Sequence, residues 1–137
     1  MNNSIAFQQF IEHLREKNYR TYVFDLSQCD GFDSTFMGIV LGVSLARKRV
    51  VVINATPAHR KILAEVGIDR VVRLLDGALR LPAVPFQKLE QKAAGSEERI
   101  RMILEAHENL VRLDERNEHA FGGFLRAIRG ELRRNQE

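Results

Sequence analysis

Residues 34–53, STFMGIVLGVSLARKRVVVI, decide the fold. Phe36, Met37, Ile39, Val40, Leu41, Val43 and Leu45 leave no polar face, so the first part reads as a helix buried all round against a sheet. Gly38 and Gly42 cost helix propensity, and their four-residue spacing supplies a reason: on that face another backbone can come close. Val50 to Ile53 is the clearest strand in the chain.

Upstream, TYVFDL at 21–26 is short, aromatic and β-branched, and the polar loop Ser27 to Asp33 bounds it, so it predicts a second buried strand. Before it, Ile5, Phe7, Phe10, Ile11 and Leu14 recur at helical spacing behind Asn3 and Ser4, both acceptable N-caps. That pattern predicts an amphipathic helix over 4–17, ended by Asn18. Downstream, Thr56-Pro57 supplies an N-cap and a first-turn proline for a helix through Ile62, Leu63 and Val66 that stops at Gly67. Val71 to Leu75 predicts a last short strand before Asp76-Gly77. The alternation of helix and strand predicts an α/β fold of parallel strands joined by helical crossovers.

Pro82, Pro85 and Gly95 mark a change of character. The expected division is an α/β domain over 1–80, a linker over 81–95 and a helical extension over 96–137. In the extension Ile100, His107, Asp114, Phe121 and Ile128 recur at sevens, but Asp114 and Asn117 interrupt the seams and Gly122-Gly123 weakens the second half. One rod and two helices meeting near 114–123 fit this pattern equally. Either needs a partner surface, from the α/β domain or from another subunit.

At 137 residues, 45% hydrophobic and 28% charged, the chain has the size and balance of one folded domain and not of a disordered one. A net charge of +3 is too small to indicate a nucleic-acid partner. The densest basic run, Arg47 to Arg49, lacks aromatics for base stacking and reads as a solvated helix end. A lone Cys29 excludes an internal disulfide, and neither a leader nor a membrane span is legible, so a cytoplasmic protein with no membrane partner is expected. His13, His59, His107 and His119 are scattered without zinc spacing, no Gly-x-Ser-x-Gly elbow surrounds Ser34, and no glycine loop cradles phosphate. The expectation is therefore no catalytic residue, no metal and no cofactor. His59 and His107 read as surface or interface residues, and Asp25 as the end of its strand, hydrogen-bonded to the following loop. A hydrolase working through Ser34 or Cys29 would need a base that the sequence does not identify.

FDSTFMG at 32–38, with FDLS at 24–27 before it and AEVGIDRV at 64–71 after it, resembles the STAS domain shared by sulfate transporters and bacterial anti-sigma factor antagonists. The resemblance covers residues 4–76. In the antagonist branch it implies a protein-binding module, not an enzyme, whose motif serine is phosphorylated by a partner serine kinase that is itself an anti-sigma factor. A PP2C-type phosphatase removes the phosphate. By position that serine is Ser34, with Thr35 as a second or substitute site, and Asp30, Asp33, Ser34, Thr35 and Met37 form the implied partner face. Phosphate beside Asp33 and Asp30 would make a negative patch that weakens a partner complex. Against this stands plain helix capping by Ser34 or Asp33. The resemblance also allows a constitutive scaffold subunit of a lipid-transport or stressosome-like assembly, with Ser34 unmodified. The sequence departs from the family pattern in three places: Phe36 stands where a glycine is usual, the chain starts at the first helix without the N-terminal strands, and the stretch between Leu45 and Val50 is short. The helical extension lies outside the pattern, and homodimerisation or docking is its expected use.

Overall fold

Five helices and three strands follow one another in a computed structural model that describes residues 4–81, 89 and 94–135. They are α1 (Ser4–Arg15), β1 (Thr21–Asp25), α2 (Ser34–Leu45), β2 (Arg49–Ile53), α3 (Pro57–Glu65), a 3-10 turn (Ile68–Arg70), β3 (Arg73–Leu74), α4 (Ser96–Leu113) and α5 (Arg116–Asn135). The strands form a parallel sheet in the order β1, β2, β3, with Tyr22 beside Val50, Phe24 beside Val52 and Val52 beside Leu74. The chain is thus α/β, as its alternation predicts.

Each crossover steps the same way across the sheet, and the right-handed rule then puts α2 and α3 on one face. The period of two sorts the side chains accordingly. Tyr22, Val50 and Val52 are buried on the helical side, whereas Thr21, Val23, Arg49 and Arg73 on the other side are exposed, Val23 by 51%. α1 is shorter than its apolar pattern predicts, because Asn18 turns the chain at φ 60°, a left-handed conformation that asparagine tolerates better than most residues. β3 is also shorter than predicted. The Val71 and Val72 amides donate to the Ile68 carbonyl at 3.0 and 3.1 Å, so both close the end of the 3-10 turn and do not pair in the sheet.

The hydrophobic core is continuous from Phe7 and Ile11 through Tyr22, Leu41, Val52 and Ile68 to Ala106 and Leu110 of α4. The extension therefore shares the core of the α/β layer through Ala106 and Leu110. Of the expected linker, 82–88 and 90–93 lie outside the described residues. α4 and α5 fold back on each other as an antiparallel hairpin, so the sevenfold pattern does not run through. Leu110 meets Asn117, and His107 meets Phe121 and Phe124 at ring distances of 5.3 and 4.8 Å. α4 lies against α2.

Asp114 makes the break between the two helices. Its backbone is extended, one carboxylate oxygen accepts from the Arg116 amide at 2.9 Å, and the other accepts from the Arg70 and Arg116 guanidinium groups at 2.6 and 2.7 Å. The hydrogen bonds from Arg116, side chain first and backbone second, lower its pKa from 3.8 to about 2. A carboxyl whose pKa is lower folded than unfolded contributes stability above the unfolded value and loses it on acidification. Stability is thus expected to fall as pH drops from about 4 to about 2. In Asp114→Asn this part of the acid sensitivity disappears, which thermal melts across that window would measure. Among the described residues no helix is long and apolar enough to cross a membrane.

Candidate functional site

The loop from β1 to α2 is fastened at both ends. Asp25 Oδ1 accepts from the Ser27 amide and from Asn54 Nδ2, each at 2.9 Å, so this aspartate ends its strand by binding the following loop, as the sequence predicts. The Asn54 hydrogen bond is the main cause holding its carboxyl below the ordinary range. Midway along the loop the Cys29 carbonyl lies 2.9 Å from His59 Nε2. His59 Nδ1 accepts from the Thr56 amide at 3.1 Å, so the Nε2 hydrogen is the one donated to Cys29. This histidine is 3% exposed and stacks on Phe32 at 5.4 Å, so of the two expected places, surface or interface, it takes the internal interface. It is a buried pin that closes the cap of α3 and holds the loop.

Asp33 caps α2, its Oδ1 accepting from the Phe36 amide at 2.9 Å. That settles the choice between the two capping candidates and leaves the Ser34 hydroxyl for another partner. Ser34 Oγ lies 2.7 Å from Nε2 of His107, a residue 73 positions away on α4. The Nδ1 of the same ring is 2.7 Å from the Ile103 carbonyl, which can only accept. Nδ1 therefore carries the ring hydrogen, and the Ser34 hydroxyl donates to the lone pair on Nε2. His107 is 2% exposed, with Phe121 and Phe124 against its ring, so it too lies at an interface, between α2, α4 and α5.

The same stripe of α2 continues into the hairpin. Ser34, Gly38 and Gly42 stand one above the other at four-residue intervals. A side chain at Gly38 would overlap the Ala106 backbone, and the Gly38 carbonyl accepts from Asn109 Nδ2 at 3.2 Å. The expected close approach of a backbone is thus that of α4 at Gly38, whereas Gly42 faces the Asn109 and Arg15 side chains.

The remaining residues of the implied partner face divide. Asp30 is exposed, Asp33 is exposed beside its cap, and Thr35 is half-buried. Met37 is 5% exposed inside the core, so its place on a partner face is corrected. A helix apolar on every side cannot declare from sequence which face looks outward, and Met37 looks inward.

Serine hydroxyl, imidazole and orienting carbonyl stand at distances compatible with a nucleophile and its base. A groove of about 380 Å³ lies elsewhere, between α1 and α4, lined by Gln8, Glu12, Glu98, Met102 and Glu105 among others. Among the described residues no three His, Cys, Asp or Glu side chains come together as a metal site. Sequence reasoning missed His107 and Asn109 as parts of this site, although the glycine spacing signalled that some backbone must dock there.

No family model matches the chain, and no curated protein or solved structure matches it.

Proposed function

We propose that the chain is a regulatory protein-binding module of the anti-sigma factor antagonist type, built on a STAS-like α/β domain. A partner serine kinase, itself an anti-sigma factor, phosphorylates Ser34, and a PP2C-type phosphatase reverses the modification. In the unmodified form the module holds the anti-sigma factor and releases the sigma factor. The module catalyses nothing itself. One observation carries the reading: Asp33 occupies the cap of α2, so the hydroxyl of Ser34, the first helical residue, is not needed to terminate the helix. Amide groups at a helix N-terminus and the dipole behind them favour a nearby dianion. A phosphate there adds charge to a surface that already holds Asp30 and Asp33, and like charge weakens an acidic partner's grip.

The test is phosphopeptide mass spectrometry on protein taken from its native cells. The tryptic fragment Thr21 to Arg47 holds both Ser34 and Thr35. A phosphate on Ser34 that changes with growth condition is expected. A fragment unmodified in every condition would favour the second reading, a constitutive scaffold subunit. That reading has its own support in the Ser34 hydroxyl, which a buried imidazole already engages.

A further inference from the structure

The residue read as the switch and the two glycines of α2 form a single stripe, and all three meet α4. Ser34 meets His107, Gly38 meets Ala106 and Gly42 meets Asn109. We infer that the α4–α5 hairpin is an internal occupant of the partner-binding start of α2, and that a phosphate on Ser34 and a docked hairpin exclude each other. The inference rests on the reading of Ser34 as a phosphorylated residue.

The physical argument has three parts. The first is space. Nε2 of His107 stands at hydrogen-bond contact with Oγ, and 2.7 Å leaves no room for a phosphorus and its three oxygens between them. The second is hydrogen-bond polarity. Modification replaces the Oγ–H bond with an Oγ–P bond; the phosphoryl group comes from a nucleoside triphosphate on the kinase, the proton leaves to the kinase's base, and a nucleoside diphosphate is the other product. The donor that satisfied Nε2 is then gone. Because Nδ1 already donates to Ile103, the ring would face phosphate oxygens with a lone pair. The third is solvation. His107 itself is 2% exposed, with Phe121 and Phe124 against its ring, and a dianion pressed onto that ring would lose part of the hydration that a hydroxyl does not need. A docked hairpin likewise bars the kinase, since it holds the oxygen that must attack. Modification would thus proceed from molecules whose hairpin has opened, and would keep it open.

Hydrogen exchange on the full chain tests this, with phosphoserine placed at position 34 by genetic encoding. The amides of α4 between Ile103 and Leu110 are expected to exchange at least about tenfold faster than in the unmodified chain, while those of β2 keep their protection. Ser34→Ala, which loses the hydrogen bond without gaining charge, is expected to show a clearly smaller rise. Unchanged or slower exchange in α4 would overturn the inference, for it would mean that His107 clamps the phosphate. An equal rise in Ser34→Ala would overturn it, because the charge would then add nothing. So would loss of protection in β2 to the same extent, because the hairpin would not be separable from the sheet. Since the phosphate is installed and not awaited, the outcome is independent of whether native cells modify Ser34.

Discussion

Gly38→Ala is expected to destabilise the fold by about 2 kcal/mol, although alanine is the better helix former. In an open helix the exchange would gain about 1 kcal/mol. Here the added carbon overlaps the carbonyl and backbone of Ala106, and a backbone cannot turn aside as a side chain can. Overpacking against a well-filled core costs roughly 1–3 kcal/mol, and rigid neighbours push it toward the upper end or beyond. A urea midpoint lowered by roughly 1 M with an unchanged slope is the expected reading. Gly42→Ala serves as the contrast. Its new carbon would meet the ends of two side chains, Asn109 at 3.1 Å and Arg15 at 3.8 Å, which can shift. That variant is expected to stay within about 1 kcal/mol of the parent, because the propensity gain offsets the crowding. Equal effects at the two glycines would show that α2 and α4 do not approach at Gly38.

The second large effect is expected at Asn117, a 2% exposed residue at the start of α5. Its Nδ2 donates to the Val66 carbonyl at 2.9 Å and to the Leu110 carbonyl at 2.7 Å. These carbonyls lie at the end of α3 and in the last turn of α4, the negative ends of both helices. Asn117→Asp keeps the shape and removes both donors, setting a carboxylate against two acceptors. An uncompensated buried charge costs about 3–5 kcal/mol. The introduced carboxyl therefore has a folded pKa raised above its unfolded one, so the loss is smallest at acid pH and grows as pH rises through neutrality. Urea unfolding at acid and at neutral pH would separate this from Asp114, whose contribution changes in the opposite sense and only under more acidic conditions. A loss independent of pH would mean that the carboxylate reaches solvent.

The sheet and its crossovers are legible in the sequence because each element carries its own periodicity. The all-apolar run of α2, the valines of β2 and the Thr56-Pro57 start of α3 need no distant information. The placement of Ser34 at the first turn of α2 is legible for the same reason. The histidine opposite it is not, because 73 residues separate the two and helical periodicity within α4 says nothing about which element it covers. The sevenfold pattern even misdirects, since it aligns His107 and Phe121 along one helix, whereas they touch across a hairpin. For His59 a signal was present. It stands three residues after the cap Thr56, where a capping box usually has Glu or Gln, and imidazole nitrogen plays that part here.

The sharing of one core between α2 and α4, far apart in sequence, also governs how the molecule is made. α2 is synthesised before α4 and is apolar on all sides, but the backbone that seats against Gly38 and the leucine that fills the space beside it lie beyond residue 105. Until those residues are available, the most hydrophobic of the described helices is only partly covered, by α1 and the sheet. Contacts of such long sequence separation slow folding, and a waiting apolar segment invites chaperones or aggregation. The helical extension therefore completes the cover of α2, and lesions in α4 should appear first as loss of recoverable protein.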